Sequence, residues 1–175
     1  EFNEDSFSEH VSSQKPFGLR TYEQGNKTKT ANSITLYTNK GLAYTDRNKI
    51  DKNPNWIDKY KVFITMAYGA GEDFPHQILN KPILGIPGSC CTETYLLIGP
   101  FPNQKTTQNV HKYIKTKFFR FLVLLVKNTQ HASKSVYKFV PSQKFDEEWD
   151  DEKLYKKYGL TIEEISFIEQ MVRPM

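Results

Sequence analysis

Cysteine is scarce in this sequence, because Cys90 and Cys91 are the only two among 175 residues. Adjacent cysteines rarely bond to each other, and no further His or Cys stands beside them at the spacing of metal ligands. We therefore expect a reduced, partly buried pair of thiols rather than a disulfide framework or a zinc site. Free, buried thiols are typical of proteins from the reducing cytoplasm.

Long hydrophobic runs are also missing. The longest extends from Phe118 to Val126 and is interrupted by Arg120, whereas a membrane-spanning helix needs roughly 20 apolar residues. The opening residues Glu1 to Asp5 are acidic, unlike the basic and then apolar start of a secretory signal. These features predict a cytoplasmic protein. The absence of an initiator methionine suggests a fragment of a larger chain.

Signatures of catalysis are missing as well. The four histidines show no ligand spacing, and neither a Gly-x-Ser-x-Gly sequence nor a Cys/His dyad pattern occurs. The Asn-Pro-Asn-Trp sequence at 53–56 lacks the second proline of a DNA amino-methyltransferase loop, so we interpret it as a turn. The sequence around 68–72 lacks the third glycine of a dinucleotide site and indicates a flexible loop. We predict no catalytic, cofactor or metal site, and hence a binding module rather than an enzyme.

Acidic residues are absent from one long region. Residues 94–145 contain nine Lys or Arg and no Asp or Glu, and residues 26–62 contain eight bases against three acids. The sign reverses in residues 146–175, which contain nine acids and four bases. Clustered cations attract polyanions, so this segregation favours a nucleic-acid partner, although a merely solvated basic face is the alternative.

The hydrophobic patterns mix strands with helices. Alternating apolar residues predict strands at 34–38, followed by a turn at 39–41, and at 60–66, 94–98 and 136–140. Apolar residues at helical spacing predict one helix over 105–127, with its last two turns buried and Lys105, Lys112 and Lys115 on the opposite side. A short helix is expected over 150–158, and a further helix begins at Thr161, where Glu164 completes a capping box.

These elements indicate an α+β fold: a curved mixed β-sheet with one long buried helix and a C-terminal helical tail. We divide the chain into an opening segment (1–30), a core (31–145) and an acidic helical tail (146–175) within one structural unit. Two stretches interleave basic residues with hydroxyl, amide and aromatic side chains, as contact with phosphates and base edges requires. The first covers 25–32 and continues into 44–49, and the second covers 127–137.

Five sequences occur in an order that resembles a known family. They are the Cys-Thr-Glu-Thr-Tyr-Leu-Leu-Ile-Gly-Pro sequence at 91–100, Tyr-Ile-Lys-Thr-Lys-Phe-Phe-Arg-Phe-Leu at 113–122, Ser-Lys-Ser-Val-Tyr-Lys-Phe-Val-Pro at 133–141, and the tail sequences at 149–155 and 158–161. Together they resemble the target-recognition (specificity) domain at the carboxyl end of adenine-specific DNA methyltransferases. The likeness is to bifunctional type II restriction–modification enzymes with a TaqI-like specificity region, and it covers about residues 15–175.

The resemblance implies that this chain binds double-stranded DNA and selects its sequence. Methylation of adenine with S-adenosylmethionine, and in some members cleavage, would belong to other domains of the same parent chain, above all a catalytic methyltransferase domain. By that logic we expect Ser133, Lys134 and Tyr137 to contact the DNA backbone, although Tyr137 and Tyr68 could equally be core aromatics. The residues expected to contact a groove or phosphates are Arg20, Lys27, Lys29, Arg47, Lys61 and Tyr68.

Two other functions remain open at this point. One is a small metal-dependent nuclease that uses the acids of residues 146–152, although that run lacks the Glu-x-Lys ending of such centres and is better interpreted as a solvated linker. The other is a protein-interaction domain whose basic face meets an acidic partner.

Overall fold

The computed structural model describes residues 5–68 and 73–175, which form six strands and four α-helices. In chain order they are β1 (Ser33–Thr38), β2 (Gly41–Asp46), β3 (Tyr60–Thr65), β4 (Ile83–Gly85), β5 (Ser89–Cys91), β6 (Tyr95–Phe101), α1 (Gln104–Lys115), α2 (Lys117–Leu124), α3 (Asp151–Lys157) and α4 (Ile162–Met171). Short 3₁₀ helices lie at Phe7–His10, Arg47–Lys49, Pro54–Trp56 and Lys134–Tyr137. The predicted α+β class is confirmed.

The strands form two three-stranded sheets rather than one curved sheet. In the first, with strand order β2-β1-β5, β1 is antiparallel to β2 and parallel to β5. In the second, with order β4-β3-β6, all neighbours are antiparallel. The two-residue turn at Asn39 and Lys40 joins β1 to β2, as the sequence predicted, because Thr38 pairs with Gly41.

The prediction of a single long helix over 105–127 is wrong, because the helix is interrupted at Thr116. This residue has extended backbone angles (φ −62°, ψ 151°), and its hydroxyl accepts a hydrogen bond from the backbone N–H of Phe119 at 3.2 Å. Threonine is a good N-cap because its side chain satisfies a donor that a helix start leaves free. The second helix can therefore leave the first at an angle while the apolar spacing continues through the break.

The predicted strand at 136–140 is also wrong. Val136 and Tyr137 both point into the core from the 3₁₀ helix at Lys134–Tyr137. Consecutive residues of a strand point to opposite faces, so a helical turn is what allows these two neighbours to be buried together. In the tail, both expected helices are present, and the capping box of Thr161 and Glu164 is confirmed.

The second sheet separates two hydrophobic clusters. Val62 and Ile64 on β3 belong to the larger cluster, which the four helices cover. Phe63, between them, belongs to the smaller cluster, together with Ile34 and Leu36 of the first sheet. Because side chains alternate along a strand, β3 supplies both cores. The molecule thus has three layers: helices, the second sheet and the first sheet.

The opening segment is part of this core. Phe7 is completely buried and packs edge-on against Phe119 with ring centroids 4.9 Å apart. Ser12 donates its backbone N–H to the carbonyl of Leu97 at 2.8 Å, and its hydroxyl accepts the N–H of Leu97 at 2.9 Å. This pairing adds the segment to the edge of β6.

None of the helices in the described residues combines the length and the apolar character needed to cross a membrane.

Candidate nucleic-acid interface

The nine residues predicted to contact DNA separate into two surface groups and a buried pair. We call Arg20, Lys27, Lys29 and Arg47 the hairpin group, because they surround the β1–β2 hairpin, and Tyr68, Ser133 and Lys134 the loop group. Arg47, through its contact with Asp58, lies near the start of β3, and the loop group follows the end of that strand. Arg20 lies beside Glu93, which is also toward the end of β3. Lys61 and Tyr137 lie in the interior.

The segment that carries Lys27 and Lys29 is fixed against β2. Asn26 and Tyr44 exchange both backbone hydrogen bonds, at 2.7 and 2.8 Å. Gly25 makes this close approach possible, because a Cβ at this position would lie 2.5 Å from the carbonyl oxygen of Tyr44 and its φ is +66°. The sequence around the two lysines therefore extends the edge of the hairpin instead of forming a free loop.

Arg47 forms a bidentate ion pair with Asp58, with nitrogen–oxygen distances of 2.5 and 2.8 Å. The hydrogen bond between them raises the pKa of Arg47 and lowers the pKa of Asp58. Two of the five guanidinium N–H groups are used in the pair, so three remain for another acceptor. Arg47 also lines a surface pocket of about 290 Å³ together with Asn32 and Asn48.

The other acids near the hairpin are occupied by local backbone groups. Glu23 accepts the N–H of Arg20 at 2.6 Å, and Asp46 accepts the N–H of Asn48 at 2.9 Å. Lys27, Lys29 and Lys40 are exposed and form no ion pair within the described part of the chain. The hairpin therefore presents three lysines whose charge is not compensated by a carboxylate.

Sequence reasoning missed the tip of the hairpin. Lys40 lies in the turn, and Leu42 follows it with 69% of its surface exposed. The amide of Gln24 donates to the side-chain oxygen of Asn39 at 3.0 Å, which brings a second exposed residue, Tyr22 at 78%, close to the tip. A large apolar and a large aromatic side chain left exposed beside a lysine could have been recognised from the Asn-Lys-Gly turn, which places its neighbours at the surface.

The loop group is organised around Tyr68. The backbone N–H of Tyr68 donates to the carbonyl of Gln130 at 2.9 Å, and Ala67 pairs with His131. Beyond this bridge, Ser133 bonds to Ser135 at 3.0 Å, and Lys134 projects into solvent. The second basic stretch predicted from sequence is thus joined to the end of β3.

Two basic residues that sequence reasoning did not select hold Tyr68 in place. The ammonium of Lys127 donates to the carbonyls of Tyr68 and Ile78 at 2.5 and 2.9 Å. The guanidinium of Arg173 donates to the Tyr68 hydroxyl at 3.0 Å. The tail therefore reaches this group, a contact between residues 105 positions apart that no local pattern could indicate.

Lys61 lies in the interior and not at a surface that DNA could reach, which corrects the prediction. Its side chain is completely buried, on the same face of β3 as Phe63. The ammonium donates to four backbone carbonyls: those of Trp56 at 3.0 Å, Ile57 at 2.6 Å, Lys59 at 3.0 Å and Ile86 at 3.4 Å. Burial lowers the pKa of Lys61 to about 8. This lysine fastens the turn before β3 to the loop before β5.

Tyr137 is likewise an interior residue and not a contact with the DNA backbone. It is completely buried, with its ring centroid 6.0 Å from that of Phe119 and 6.3 Å from that of Phe7. Burial raises the pKa of its hydroxyl. Within the described residues that hydroxyl has no hydrogen-bond partner.

The acidic tail neutralises part of the basic region 94–145. Glu148 pairs with Lys112 of α1, and Glu169 pairs with Lys117 of α2. Arg120 is buried and donates to the carbonyls of Lys115 and Gln77, each at 3.2 Å. Two lysines of this region are therefore paired with acids and Arg120 is buried, whereas Lys105, Lys134, Lys138 and Lys144 are exposed and form no ion pair within the described residues.

The acids of the tail have structural partners too. Asp150 accepts the N–H of Lys153 at 2.8 Å and caps α3, while Glu147 pairs with Lys153 at 3.4 Å. Within residues 5–68 and 73–175, no group of three His, Cys, Asp or Glu side chains could hold a metal ion. The sequence at 53–56 is the turn that we predicted, with a 3₁₀ helix at Pro54–Trp56, whereas the glycine-rich sequence at 69–72 lies outside the described residues.

Comparisons with known proteins give no family: no protein-family model matches this sequence, and no curated protein matches it significantly. The specificity-domain resemblance therefore rests on the order of the sequence motifs.

Proposed function

We propose that this chain binds double-stranded DNA and selects a sequence in it, as the target-recognition module of an adenine-specific restriction–modification methyltransferase. The observation that carries the proposal is the set of three lysines on the hairpin without a carboxylate partner. The duplex carries one phosphate charge per roughly 1.7 Å of its axis, and each lysine that neutralises a phosphate releases a bound counterion.

The shape of the hairpin supports the same partner. A two-stranded ribbon fits the major groove of B-form DNA, which is about 12 Å wide. Lys27 and Lys29 lie along one edge of this ribbon, and Lys40 lies at its tip. In this arrangement the lysines contact phosphates and fix the register, while Arg47, directly after β2, meets base edges.

Arg47 is the best candidate for base recognition. Its pair with Asp58 holds the guanidinium plane in one orientation and leaves three N–H donors for the O6 and N7 acceptors of a guanine. A fixed arginine loses less side-chain entropy on binding than a free one. Lys134 in the loop group would provide a second phosphate contact at the far end of β3.

Methylation itself is assigned to a separate catalytic methyltransferase domain that binds S-adenosylmethionine and the flipped adenine. This chain would position that domain on the duplex. The proposal is therefore one of recognition and carries no catalytic residue for this chain.

A salt titration with matched variants tests the proposal. Binding of the whole chain to a labelled duplex pool is followed by fluorescence anisotropy for the wild type, for Lys27→Ala/Lys29→Ala and for the control Lys112→Ala/Lys153→Ala. Both double variants remove two positive charges, but the control removes lysines that are paired with acids. We expect the hairpin variant to bind about tenfold more weakly, with a slope of log K against log salt that is smaller by about two.

Sequence selection is tested by enrichment of bound duplexes from a random pool. We expect one short sequence to be enriched, and Arg47→Ala to relax the preference at one base pair. Absence of duplex binding at low salt, or equal losses in the two double variants, would contradict the proposal. Cleavage of the duplex with Mg²⁺ would support the nuclease alternative instead.

A further inference from the structure

An apolar groove lies between α2 and α4, on the opposite side of the helical layer from the second sheet. It has a volume of about 400 Å³ and is lined mainly by Phe118, Phe121, Leu122, Leu125, Leu160 and Phe167. Leu125 and Phe167 remain 64% and 54% exposed. An exposed patch of several large apolar residues is characteristic of a surface that another molecule covers.

The two helices that form the groove run antiparallel. Lys117, the first residue of α2, pairs with Glu169 near the end of α4, and one turn later Phe121 contacts Phe167 with ring centroids 5.9 Å apart. At the other end of the groove, Leu125 follows α2 and Glu164 of the first turn of α4 lines the groove. Ile162, the first residue of α4, is 82% exposed there.

The open end of the groove is acidic. Glu163 and Glu164 lie in the first turn of α4, and that helix contains no basic residue. Lys117 is at the closed end and is paired with Glu169. Lys127, two residues beyond Leu125, donates inward to the carbonyls of Tyr68 and Ile78. Lys117 and Lys127 are thus both directed away from the open end.

From the apolar lining and the acidic open end we infer that this groove binds an amphipathic helix of another polypeptide segment, one whose apolar side chains are flanked by Lys or Arg. The inference goes beyond DNA recognition and does not depend on it. Such a helix would insert apolar side chains spaced three or four residues apart into the groove. Its flanking cations would meet Glu163 and Glu164.

The carboxylates at the open end argue against two other occupants of the groove, DNA and a second copy of this chain. A phosphate backbone would be repelled by two carboxylates at the open end, so DNA does not suit this surface. A second copy joined through the same groove would present the same apolar lining and the same carboxylates, and not a helix flanked by Lys or Arg. A basic helix alone satisfies both the apolar lining and the carboxylates.

The test is selection of helical peptides on the immobilised whole chain. The displayed library keeps a helical pattern of Leu, Phe, Met or Ala on one face and varies the flanking positions among Lys, Arg, Glu and Asp. We expect the retained peptides to carry Lys or Arg on both flanks. A synthetic peptide of the enriched sequence should bind Leu125→Glu and Phe167→Glu at least tenfold more weakly than wild type, and Glu163→Lys about threefold more weakly.

Ile86→Glu is the matched control, because Ile86 is 57% exposed outside the groove, and this variant should bind the peptide like the wild type. Retention of no peptide above the level of a bare surface, enrichment of acidic peptides, or equal binding to all variants would overturn the inference. So would sedimentation showing a dimer that Leu125→Glu dissociates, since a second copy would then fill the groove. Duplex binding by Leu125→Glu should be unchanged, so failure here is distinct from failure of the DNA proposal.

Discussion

Asp151 caps the helix that begins at Lys117: one carboxylate oxygen accepts the backbone N–H of Lys117 at 3.0 Å, and the other accepts that of Phe118 at 2.8 Å. The first N–H groups of a helix have no partner within the helix, and an anion there also interacts favourably with the helix dipole. The tail thus completes a helix of the core from 34 positions further along the chain.

Replacing this carboxylate should destabilise the whole chain. We expect Asp151→Ala to lower the free energy of unfolding by about 2 kcal/mol, since two half-buried N–H groups lose their acceptor. Urea denaturation followed by circular dichroism measures the change. Asp146→Ala, at an exposed position in the same acidic run, is the control and should stay within about 0.5 kcal/mol of wild type. Similar losses of unfolding free energy in the two variants would show that the Asp151 cap stabilises the chain no more than another acid of the same run.

The buried ammonium of Lys61 should matter for stability and not for DNA binding. We expect Lys61→Met, which nearly preserves the volume, to lower the free energy of unfolding by about 3 kcal/mol, because four carbonyls lose their donor. Lys59→Met removes the same charge from an exposed position two residues earlier and is the control. Duplex affinity per folded molecule should be the same for wild type and Lys61→Met; a selective loss of affinity would contradict the interior role.

The adjacent thiols of Cys90 and Cys91 should make the free energy of unfolding fall at alkaline pH. Burial raises the pKa of Cys90 to about 12 and also raises the pKa of Cys91. In the unfolded chain these thiols ionise near pH 9, so their contribution to stability is complete below that pH and is lost as the pH rises toward the folded-state pKa. We expect the free energy of unfolding of wild type to fall faster above pH 9 than that of Cys90→Ala/Cys91→Ala, by up to about 1.4 kcal/mol per pH unit for each thiol.

Burial lowers the pKa of Lys61, so this residue changes the free energy of unfolding with pH in the direction opposite to the thiols. Because Lys61 is present in both proteins, its effect largely cancels when their pH profiles are compared. Parallel pH profiles of the unfolding free energy for the two proteins would refute the assignment of the alkaline loss of stability to these thiols. As an independent check, Ellman's reagent should modify neither thiol in the folded protein and both after unfolding, since both residues are 0% exposed.

Replacing Gly25 should destabilise the protein more than replacing Gly159. Both have φ near +60°, at +66° and +62°, but a Cβ at Gly25 would meet the carbonyl oxygen of Tyr44 at 2.5 Å, whereas a Cβ at Gly159 would meet nothing within 4 Å. We expect Gly159→Ala to cost about 1 kcal/mol from backbone strain, and Gly25→Ala to cost about 2 kcal/mol more and to weaken duplex binding. Thermal unfolding and anisotropy measure the two effects; equal costs would mean that the contact relaxes freely.

Features encoded by neighbouring residues could be predicted from the sequence. The alternation of Ile34 and Leu36 gave β1, and the spacing of Thr161 and Glu164 gave the start of α4. Both depend only on residues within a few positions. Lys27 and Lys29 are exposed for the same reason, since polar sequence beside a turn lies at the surface, and their contact with DNA stays a prediction.

Features that depend on distant partners could not be predicted from the sequence. Lys61 looks like a strand residue facing solvent until Trp56 and Ile86 supply its acceptors. The helix break at Thr116 is stabilised in part by Asp151, and the apolar spacing continues through it unchanged. The basic character of 94–145 is offset by acids that follow it in sequence but pack against it in space. DNA binding and its sequence preference remain predictions.

The pairing of Ser12 with Leu97 places a practical limit on shortening this protein. A fragment that begins after residue 12 would lose the strand-like partner of β6 and the ring of Phe7, and one that stops before Asp151 would leave the N–H groups of Lys117 and Phe118 without their carboxylate acceptor. Residues near both ends of the described chain therefore pack into the core or form hydrogen bonds with it. Any smaller expression product designed to isolate the hairpin should unfold as a whole rather than retain an independent DNA-binding piece.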